Sequence, residues 1–309
     1  MSGPVSKNDT PDIRLETYAA PGPVLEISPS RQAKVGTSTV RRALPQRHRR
    51  TVGPWCFADH FGPTGPDHGL SIGPHPHNGL HTVTWLLQGD LVHHDSLGSE
   101  QPVRPGELNL MTAGHGIAHS EETPDAYRDG FHGIQLWVAQ PEHTRHGPAA
   151  FEHRAELPQV EIGSAVATVL LGDFAGADSP ARTDTALVGA DFVLPPGAHE
   201  MPLRVDFEHA LVVLEGAVRV AEDLVQPGAL AYLGTGRDGL QVSNDESARA
   251  LLLGGEPFPE PILMWWNFVA RTRDEIELAT KEWNAENDRF GVVPSTMHRI
   301  PAPPVPWQS

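Results

Sequence analysis

The sequence has a single cysteine, Cys56, and no long run of apolar residues. One cysteine cannot form an internal disulfide, so the chain suits a reducing compartment. No apolar segment reaches the roughly 20 residues that a membrane-spanning helix needs. Residues 1–30 also lack the basic start and the apolar core of a secretory signal peptide. We therefore expect a cytoplasmic protein with no membrane segment, in which Cys56 is a buried and inert thiol.

Positive charge is scarce as well, with 23 Lys and Arg against 39 Asp and Glu and a formal net charge of −16. Direct binding to nucleic acid needs a positive surface, so we do not expect it. One basic cluster, at residues 41–42 and 47–50, suits either a local phosphate contact or a solvated loop. The sequence also lacks a nucleophile motif, a phosphate-binding loop and a dinucleotide-binding fingerprint.

Turn-forming residues, in contrast, are abundant, with 30 glycines and 30 prolines among 309 residues. This composition is typical of many short strands joined by tight turns, and the length allows two domains. Segments rich in β-branched or aromatic residues and bounded by Gly, Pro or Asp predict strands at about residues 82–87, 91–95, 107–112 and 133–138. These features predict an all-β protein.

A second run of short strands begins near Val160 and repeats the first. Glycines occupy matching places in the two halves, in the pairs Gly89 and Gly216, Gly106 and Gly228, and Gly114 and Gly236. Gly114 follows Gly106 at a spacing of eight residues, and Gly236 follows Gly228 at the same spacing. The two halves are therefore predicted to be two copies of one β-barrel.

Histidine is concentrated in the first half, where 13 of the 17 histidines lie between His60 and His153. Two pairs, His75-Pro76-His77 and His119-Ser120-Glu121, have the spacing at which strand residues point to the same face. Three imidazoles and one carboxylate converging from two strands can hold one divalent transition metal. The ligand types suit Fe, Mn, Cu, Ni or Zn and do not choose between them. We predict a metal site at His75, His77, His119 and Glu121.

The second half does not repeat these ligands. Counting from the shared glycines, their positions are occupied by Pro202, Arg204, Gln241 and Ser243. Arginine is always charged and cannot ligate a metal. We therefore predict that the second barrel binds no metal and has an interior filled by apolar side chains.

The glycine spacing and the histidine pairs resemble the two consensus motifs of the cupin β-barrels. The strings HPHNGLHTVTWLLQG, HHDS, PGELNLMTAGHGIAHSE and HGIQLWV are similar to those of the pirins, a bicupin family that includes bacterial quercetinases. The similarity runs from about Arg31 to about Val293 and implies two tandem cupin barrels. It also implies iron as the metal. The acidic ligand is at Glu121, as in pirins, whereas many cupins carry it at the position of Thr82.

The resemblance further implies dioxygenase activity on a flavonol-like enediol, with a small aromatic substrate and O₂ as partners. In this chemistry a substrate hydroxyl loses its proton and dioxygen attacks the ring. Glu121 is the acid placed to act there, as metal ligand or as catalytic base. The alternative is a non-enzymatic metal- or redox-sensitive regulator that acts through a protein partner, as other pirins do. A cavity beside the metal that admits a flat aromatic molecule would favour the enzyme.

Four further histidines are candidates for the surroundings of the metal. One of His93 and His94 is expected to contact a carboxylate behind the ligands, or both mark a surface strand end. His81 has the same parity as the first ligand pair, which makes it a candidate for the substrate pocket. His115 lies between two glycines and either lines the mouth of that pocket or belongs to an exposed loop.

The chain is thus divided into a loose segment over residues 1–30, a metal-binding barrel over 31–145, a second barrel with a helix over 146–293, and a proline-rich extended tail over 294–309. Residues 140–158 are the candidate linker. The helix is predicted to begin at the capping box Thr272-x-x-Glu275 and to continue at helical spacing to Phe290. We expect it to pack across a barrel.

Overall fold

The computed structural model describes residues 22–36, 38–66, 68–124 and 130–307, and strands dominate them. The strands up to the middle of the chain are β1 (Pro23–Ser28), β2 (Arg31–Val35), β3 (Ser38–Leu44), β4 (Trp55–Phe61), β5 (Ser71–His77), β6 (Leu80–Gln88), β7 (Leu91–Asp95), β8 (Glu100–Val103), β9 (Leu108–Thr112), β10 (Ile117–Glu122), β11 (His132–Ala139) and β12 (Ala150–Arg154). They are followed by β13 (Gln159–Ile162), β14 (Ala165–Phe174), β15 (Ala177–Asp178), β16 (Leu187–Leu194), β17 (Gly197–Pro202), β18 (Glu208–Glu215), β19 (Val218–Val220), β20 (Asp223–Val225), β21 (Leu230–Gly234), β22 (Gly239–Asn244), β23 (Ala248–Gly255), β24 (Leu263–Trp265), β25 (Phe268–Ala270) and the helix α1 (Arg273–Asn284). Within the described ranges, no helix has the length and apolar character required to cross a membrane.

The first barrel consists of two sheets. The larger has the strand order β12-β9-β6-β11-β4-β3-β2, and the smaller has the order β5-β10-β7-β8. Apolar side chains from both sheets form one core cluster, which includes Val40, Leu86 and Ile72. The predicted strands of this half are confirmed as β6, β7, β9 and β11, each within two residues of its predicted ends.

The second barrel repeats this design. Its larger sheet has the order β1-β21-β18-β23-β16-β14-β13 with β15 paired to β14, and its smaller sheet has the order β17-β22-β19-β20. The larger sheets of the two barrels pack against each other through a shared cluster that includes Trp55, Trp85 and Tyr232. Trp85 Nε1 donates to Asp191 at 3.0 Å across this contact, so its polar atom is satisfied in the buried interface. The predicted all-β fold of two barrels is confirmed.

Each barrel takes one edge strand from a segment that was predicted to lie outside it. β1 pairs with β21 of the second barrel, and β12 pairs with β9 of the first. The prediction of a loose N-terminal segment is therefore wrong for Pro23–Ser28, and a boundary at residue 145 separates β12 from its own barrel. Edge strands carry unpaired N–H and C=O groups, and each exchanged strand satisfies one such edge. Residues 1–21 of that segment lie outside the described ranges.

The register of the second barrel differs from the one obtained by counting between glycines. Two residues join β5 to β6, whereas five residues, 203–207, join β17 to β18. The three extra residues make His199 and Met201 the buried equivalents of the first ligand pair. Pro202 and Arg204, which were assigned to those positions, are exposed.

The burial pattern of β22, which pairs with β17, also contradicts the count from glycines. Leu240 and Val242 are buried, while Gln241 is exposed and Ser243 is half-buried. A shift of one residue along a strand turns a side chain to the opposite face of the sheet. The absence of a metal in the second barrel remains a prediction, and it now rests on the apolar side chains of Met201, Leu240 and Val242 in the core cluster of that barrel.

The chain that follows the second barrel returns to the first. Strands β24 and β25, the helix and the tail pack on its smaller sheet in one cluster, where Ala118 of β10 contacts a group of large side chains that includes Trp265, Phe268 and Trp283. The N–H of Ile300 in the tail donates to the carbonyl of Pro74 at 2.8 Å. The C-terminal segment therefore covers the sheet that carries the predicted ligands.

The helix begins where the capping box predicts it. Thr272 Oγ1 accepts from the N–H of Glu275, as a capping residue does. The helix ends at Asn284, however, and Glu286 has a left-handed φ of 54°, so the predicted extension to Phe290 is wrong. Phe290 still packs beside Trp283, because a turn after the helix brings it back to the same cluster.

Two arginines of the basic cluster are buried in the interior of the protein. Arg42 forms a buried ion pair with Asp59, and Arg49 pairs with Glu26 and lies 3.5 Å from the ring centre of Tyr232. These two side chains therefore do not belong to a solvated loop. Arg47, in contrast, is exposed.

Candidate metal centre

Three of the predicted ligands meet on two neighbouring strands. β5 carries His75 and His77, and antiparallel pairing puts His119 of β10 directly opposite His75. One nitrogen of each ring lies within 4.8 Å of a nitrogen of each other ring. All three side chains are buried, and they are the only group of three or more His, Cys, Asp or Glu with this geometry in the part of the chain that the structure describes.

Hydrogen bonds define which nitrogen of the first pair is available. Nδ1 of His75 lies 2.9 Å from the carbonyl oxygen of Gly73, and Nδ1 of His77 lies 3.1 Å from that of Asn267. A carbonyl oxygen can only accept, so each Nδ1 donates its proton and each Nε2 retains a lone pair. Metal-binding histidines are typically held in this way. Asn267 lies in the turn between β24 and β25, so the C-terminal segment helps to orient a ligand of the first barrel.

His119 is held by a side chain instead. Its Nδ1 lies 3.4 Å from Nδ1 of His93, whose Nε2 lies 3.2 Å from Asp95 Oδ2. The expectation that one of His93 and His94 contacts a carboxylate behind the ligands agrees with this geometry. Nε2 of His119 is buried and has no hydrogen-bond partner among the residues that the structure describes. A buried nitrogen of this kind is costly unless it binds something, which fits a metal ion.

Burial sets the charge state of the three imidazoles. It lowers the pKa of His75 to about 3 and holds the pKa values of His77 and His119 well below the ordinary value of 6.5. The side chains are therefore neutral at neutral pH, and neutral imidazole is the form that binds a metal. The donor set thus fits one divalent transition metal.

Glu121 lies beside this group without belonging to it. A β-bulge between His119 and Glu121 shifts the register, so that Glu121 pairs with Ile72. Its carboxylate accepts from Thr84 Oγ1 at 3.2 Å, and burial raises its pKa to about 7. The close set of ligand nitrogens contains only the three histidines. Whether Glu121 is a ligand, a base or both remains a prediction.

A cavity of about 30 Å³ opens onto the histidines and Glu121. Its remaining walls are mostly apolar, and they are formed by Val35, Phe57, Phe61, Ile72 and Trp137, with Asp59 and Gln135 as polar members. The rings of Phe57 and Trp137 stack on each other with centres 4.0 Å apart, and the guanidinium of Arg42 lies over the Phe57 ring at 4.7 Å. The carboxylate of Asp59 is neutralised by its buried ion pair with Arg42.

Comparison with known proteins identifies the family. The family model for pirin matches residues 37–138, and the model for the pirin C-terminal cupin domain matches residues 189–291. A Pseudomonas aeruginosa protein, provisionally named quercetin 2,3-dioxygenase, is 45% identical over 290 residues, which are 92% of either chain. Human pirin is 31% identical over 84% of this chain and 91% of its own. The chain belongs to the pirin family.

A solved structure supports the same assignment. The crystal structure of a quercetin 2,3-dioxygenase from Acinetobacter baumannii has a TM-score of 0.88 and 42% sequence identity, and the match covers 91% of this pirin and 96% of that chain. The two barrels of this pirin are therefore cupin domains, and the histidine group is able to bind a metal.

His81, a candidate for the substrate pocket, lies elsewhere in this pirin. Its Nε2 is 3.0 Å from Asp184 Oδ2, and its Nδ1 is 2.9 Å from Thr112 Oγ1. Asp184 comes from the second half of the chain and is also bound by Gln140, so the buried His81 links the two barrels. The parity argument was wrong because a turn at residues 78–79 separates β5 from β6, and parity is not maintained across a turn.

His115 is not a pocket residue either. Its side chain is exposed, and it does not line the cavity. Its backbone N–H donates to Gly147, and its carbonyl accepts from Arg289. The exposed-loop alternative is therefore the correct one.

Two groups at the site were missed by the sequence analysis. Asp59 and Gln135 line the cavity from β4 and β11, and each sits within a strand of mostly apolar residues. A lone polar residue inside a hydrophobic strand was the available signal, since burying it costs free energy unless it is bonded.

Proposed function

We propose that this pirin is an iron-dependent dioxygenase of the quercetin 2,3-dioxygenase type, acting on flavonol-like substrates. The observation that carries the proposal is the mostly apolar cavity that opens onto the metal-binding histidines and Glu121. The names of the Pseudomonas relative and the Acinetobacter structure support the same reaction class.

The walls suit a planar aromatic molecule. The aromatic side chains of Phe57, Phe61 and Trp137 offer apolar contacts to such a ligand. Gln135 and the neutralised carboxylate of Asp59 can hydrogen-bond to hydroxyl groups on its rim. Small-molecule sites span roughly 300–1,000 Å³, so a flavonol requires the walls of this cavity of about 30 Å³ to move apart.

Glu121 is the group placed to take the hydroxyl proton. A pKa of about 7 allows its carboxylate to accept a proton near neutral pH, where a general base works best. Thr84 Oγ1 lies 3.2 Å from Glu121 and 2.9 Å from Gln135 Oε1, yet it has one proton for these two acceptors. Once Glu121 is protonated, it can donate to Thr84, and Thr84 can donate to Gln135. Thr84 and Gln135 can therefore stabilise the protonated form of Glu121.

The remaining chemistry belongs to the metal and to dioxygen. When bound by the three histidines, an iron ion supplies a Lewis acid and a redox centre at the end of the cavity. Removal of the hydroxyl proton makes the substrate ring electron-rich, and dioxygen then attacks it. The apolar walls exclude bulk water from the deprotonated substrate.

The test is aerobic incubation of the iron-loaded protein with quercetin, followed by loss of the visible absorbance of the flavonol. We expect turnover by the wild type. In Glu121→Gln we expect retained metal and a rate lower by about 10²–10⁴-fold, the usual contribution of a general base. Glu122→Gln makes the same change on the next residue, whose side chain is partly exposed, and should retain the rate.

Two results would contradict parts of this proposal. Loss of metal from Glu121→Gln would make Glu121 chiefly a ligand. If the protein loaded in turn with iron, manganese, copper and nickel never consumed quercetin, the enzymatic proposal would fail for this substrate. Regulation through a protein partner would then be the better account.

A further inference from the structure

The three histidines differ in what holds the nitrogen that faces away from the metal. His75 and His77 donate to backbone carbonyls, which accept in every protonation state. His119 faces the imidazole of His93, which can be either a donor or an acceptor. Of the three rings, therefore, His119 is the one whose tautomer depends on another side chain.

The carboxylate of Asp95 resolves this ambiguity. It is acceptor-only, so His93 must carry its proton on Nε2, the nitrogen 3.2 Å from Asp95 Oδ2. Nδ1 of His93 is then an acceptor, and Nδ1 of His119 is the donor to it. Nε2 of His119 is left unprotonated, and this buried nitrogen has no partner in the described part of the chain.

We propose that Asp95, acting through His93, sets the tautomer of His119 and so prepares the third ligand before the metal arrives. Both are positioning residues, since neither contributes a nitrogen or oxygen to the close ligand set. The proposal rests on the metal site of the proposed function and is independent of the substrate.

The surroundings hold the two residues in place. Asp95 Oδ1 accepts from the N–H groups of Leu97 at 2.8 Å and Ser99 at 3.0 Å, so the carboxylate cannot rotate freely. The ring of His93 stacks on Phe151, with centres 4.4 Å apart and planes 14° from parallel. Phe151 belongs to β12, the strand that joins the first barrel from beyond the predicted boundary.

Asp95→Asn reverses the chain of hydrogen bonds while keeping its shape. The two backbone N–H groups require an acceptor, so the amide oxygen must face them and the amide NH₂ must face His93. Nε2 of His93 then has to accept, its proton moves to Nδ1, and His119 must accept at its own Nδ1. The proton of His119 is thereby placed on Nε2, the atom needed by the metal.

The first readout requires no metal. Long-range ¹H–¹⁵N correlation spectra of the metal-free protein distinguish the two tautomers of each imidazole. We expect the Nδ1–H form of His119 in the wild type and the Nε2–H form in Asp95→Asn. The second readout is affinity for Zn²⁺ and Fe²⁺ by competition with a chelator, where we expect a loss of about 10–100-fold.

The matched control is Asp184→Asn. It makes the same change in another buried His–Asp pair, at His81, which does not line the cavity. We expect it to leave both the His119 tautomer and the metal affinity at wild-type values. His93→Phe is a second variant, because it keeps an aromatic ring on Phe151 and removes the acceptor, and it should also weaken metal binding.

An unchanged His119 tautomer in Asp95→Asn, or wild-type affinity in both Asp95→Asn and His93→Phe, would overturn the proposal. Failure of the wild type to bind any metal would instead contradict the proposed function. If Asp95→Asn does not fold, His93→Phe decides the question through metal affinity. Weak binding by Asp184→Asn equal to that of Asp95→Asn would show a general loss of stability and would also count against the proposal.

Discussion

Replacing Glu121 by glutamine should stabilise the metal-free protein, and the gain should depend on pH. Burial raises the pKa of this carboxyl from its ordinary value of 4.5 to about 7. Between these two values the unfolded chain has released the proton while the folded protein still holds it. The folded wild type therefore loses stability as pH rises from 4.5 to 7, and above that range the loss is constant.

The size of the effect follows from the same two values. Each pH unit of difference between the folded and the unfolded pKa corresponds to about 1.4 kcal/mol, so the interval from 4.5 to about 7 gives about 3 kcal/mol. Glutamine has nearly the same shape and cannot ionise. The free energy of unfolding of Glu121→Gln should therefore equal that of the wild type near pH 4 and exceed it by about 3 kcal/mol at pH 8.

The measurement is urea unfolding of both proteins in the presence of a chelator at a series of pH values. Taking the difference cancels the titration of the buried histidines, which the two proteins share. Glu122→Gln controls for the loss of one carboxylate from the same strand. A difference that stays flat between pH 4.5 and 8 would refute the reasoning. With metal bound, the advantage of glutamine should shrink, because a nearby cation favours the charged carboxylate.

Three further predictions concern the ligands, the C-terminal cover and the cavity wall. His119→Ala should lose most of its bound metal in elemental analysis while the exposed His115→Ala keeps it, and full occupancy in both would contradict the site. Trp283→Ala should lower the free energy of urea unfolding by about 3–5 kcal/mol, because it empties a buried site on the helix. Leu278→Ala on the exposed face of that helix should change it by about 0.5 kcal/mol or less, and equal effects would argue against the packing. Asp59→Asn should cost about 3–5 kcal/mol in the same assay, since its arginine partner is left charged and buried, and a neutral effect would show that water reaches the pair.

Patterns local to one strand or turn carried over well from sequence to structure. The H-x-H spacing placed His75 and His77 on one face, and the second pair brought His119 opposite them. The capping box located the start of the helix at Thr272. Each pair of ligands and the capping box involve residues fewer than five apart, and strand and helix periodicity describes such neighbours directly.

Patterns carried across a turn failed. His81 was assigned to the pocket by a parity that the turn after β5 interrupts, and it binds Asp184 instead. The count from glycines placed Pro202 and Gln241 at ligand positions, although both are exposed, and for Pro202 the cause is a longer connection between β17 and β18. A turn can change length without changing the strands beside it, so counting through it does not preserve which face a side chain occupies.

The sequence by itself determined the two-barrel fold, the three histidines and the family, because repeated glycines, strand alternation and ligand spacing are local features that survive in any β-barrel context. Only the tertiary structure decided what surrounds the ligands. The carbonyl that orients His77 comes from Asn267, 190 residues away, and the strand that supports His93 crosses from beyond the predicted boundary. Such contacts form because buried donors and open sheet edges must find partners wherever the fold provides them, and no local pattern specifies which distant segment will supply them.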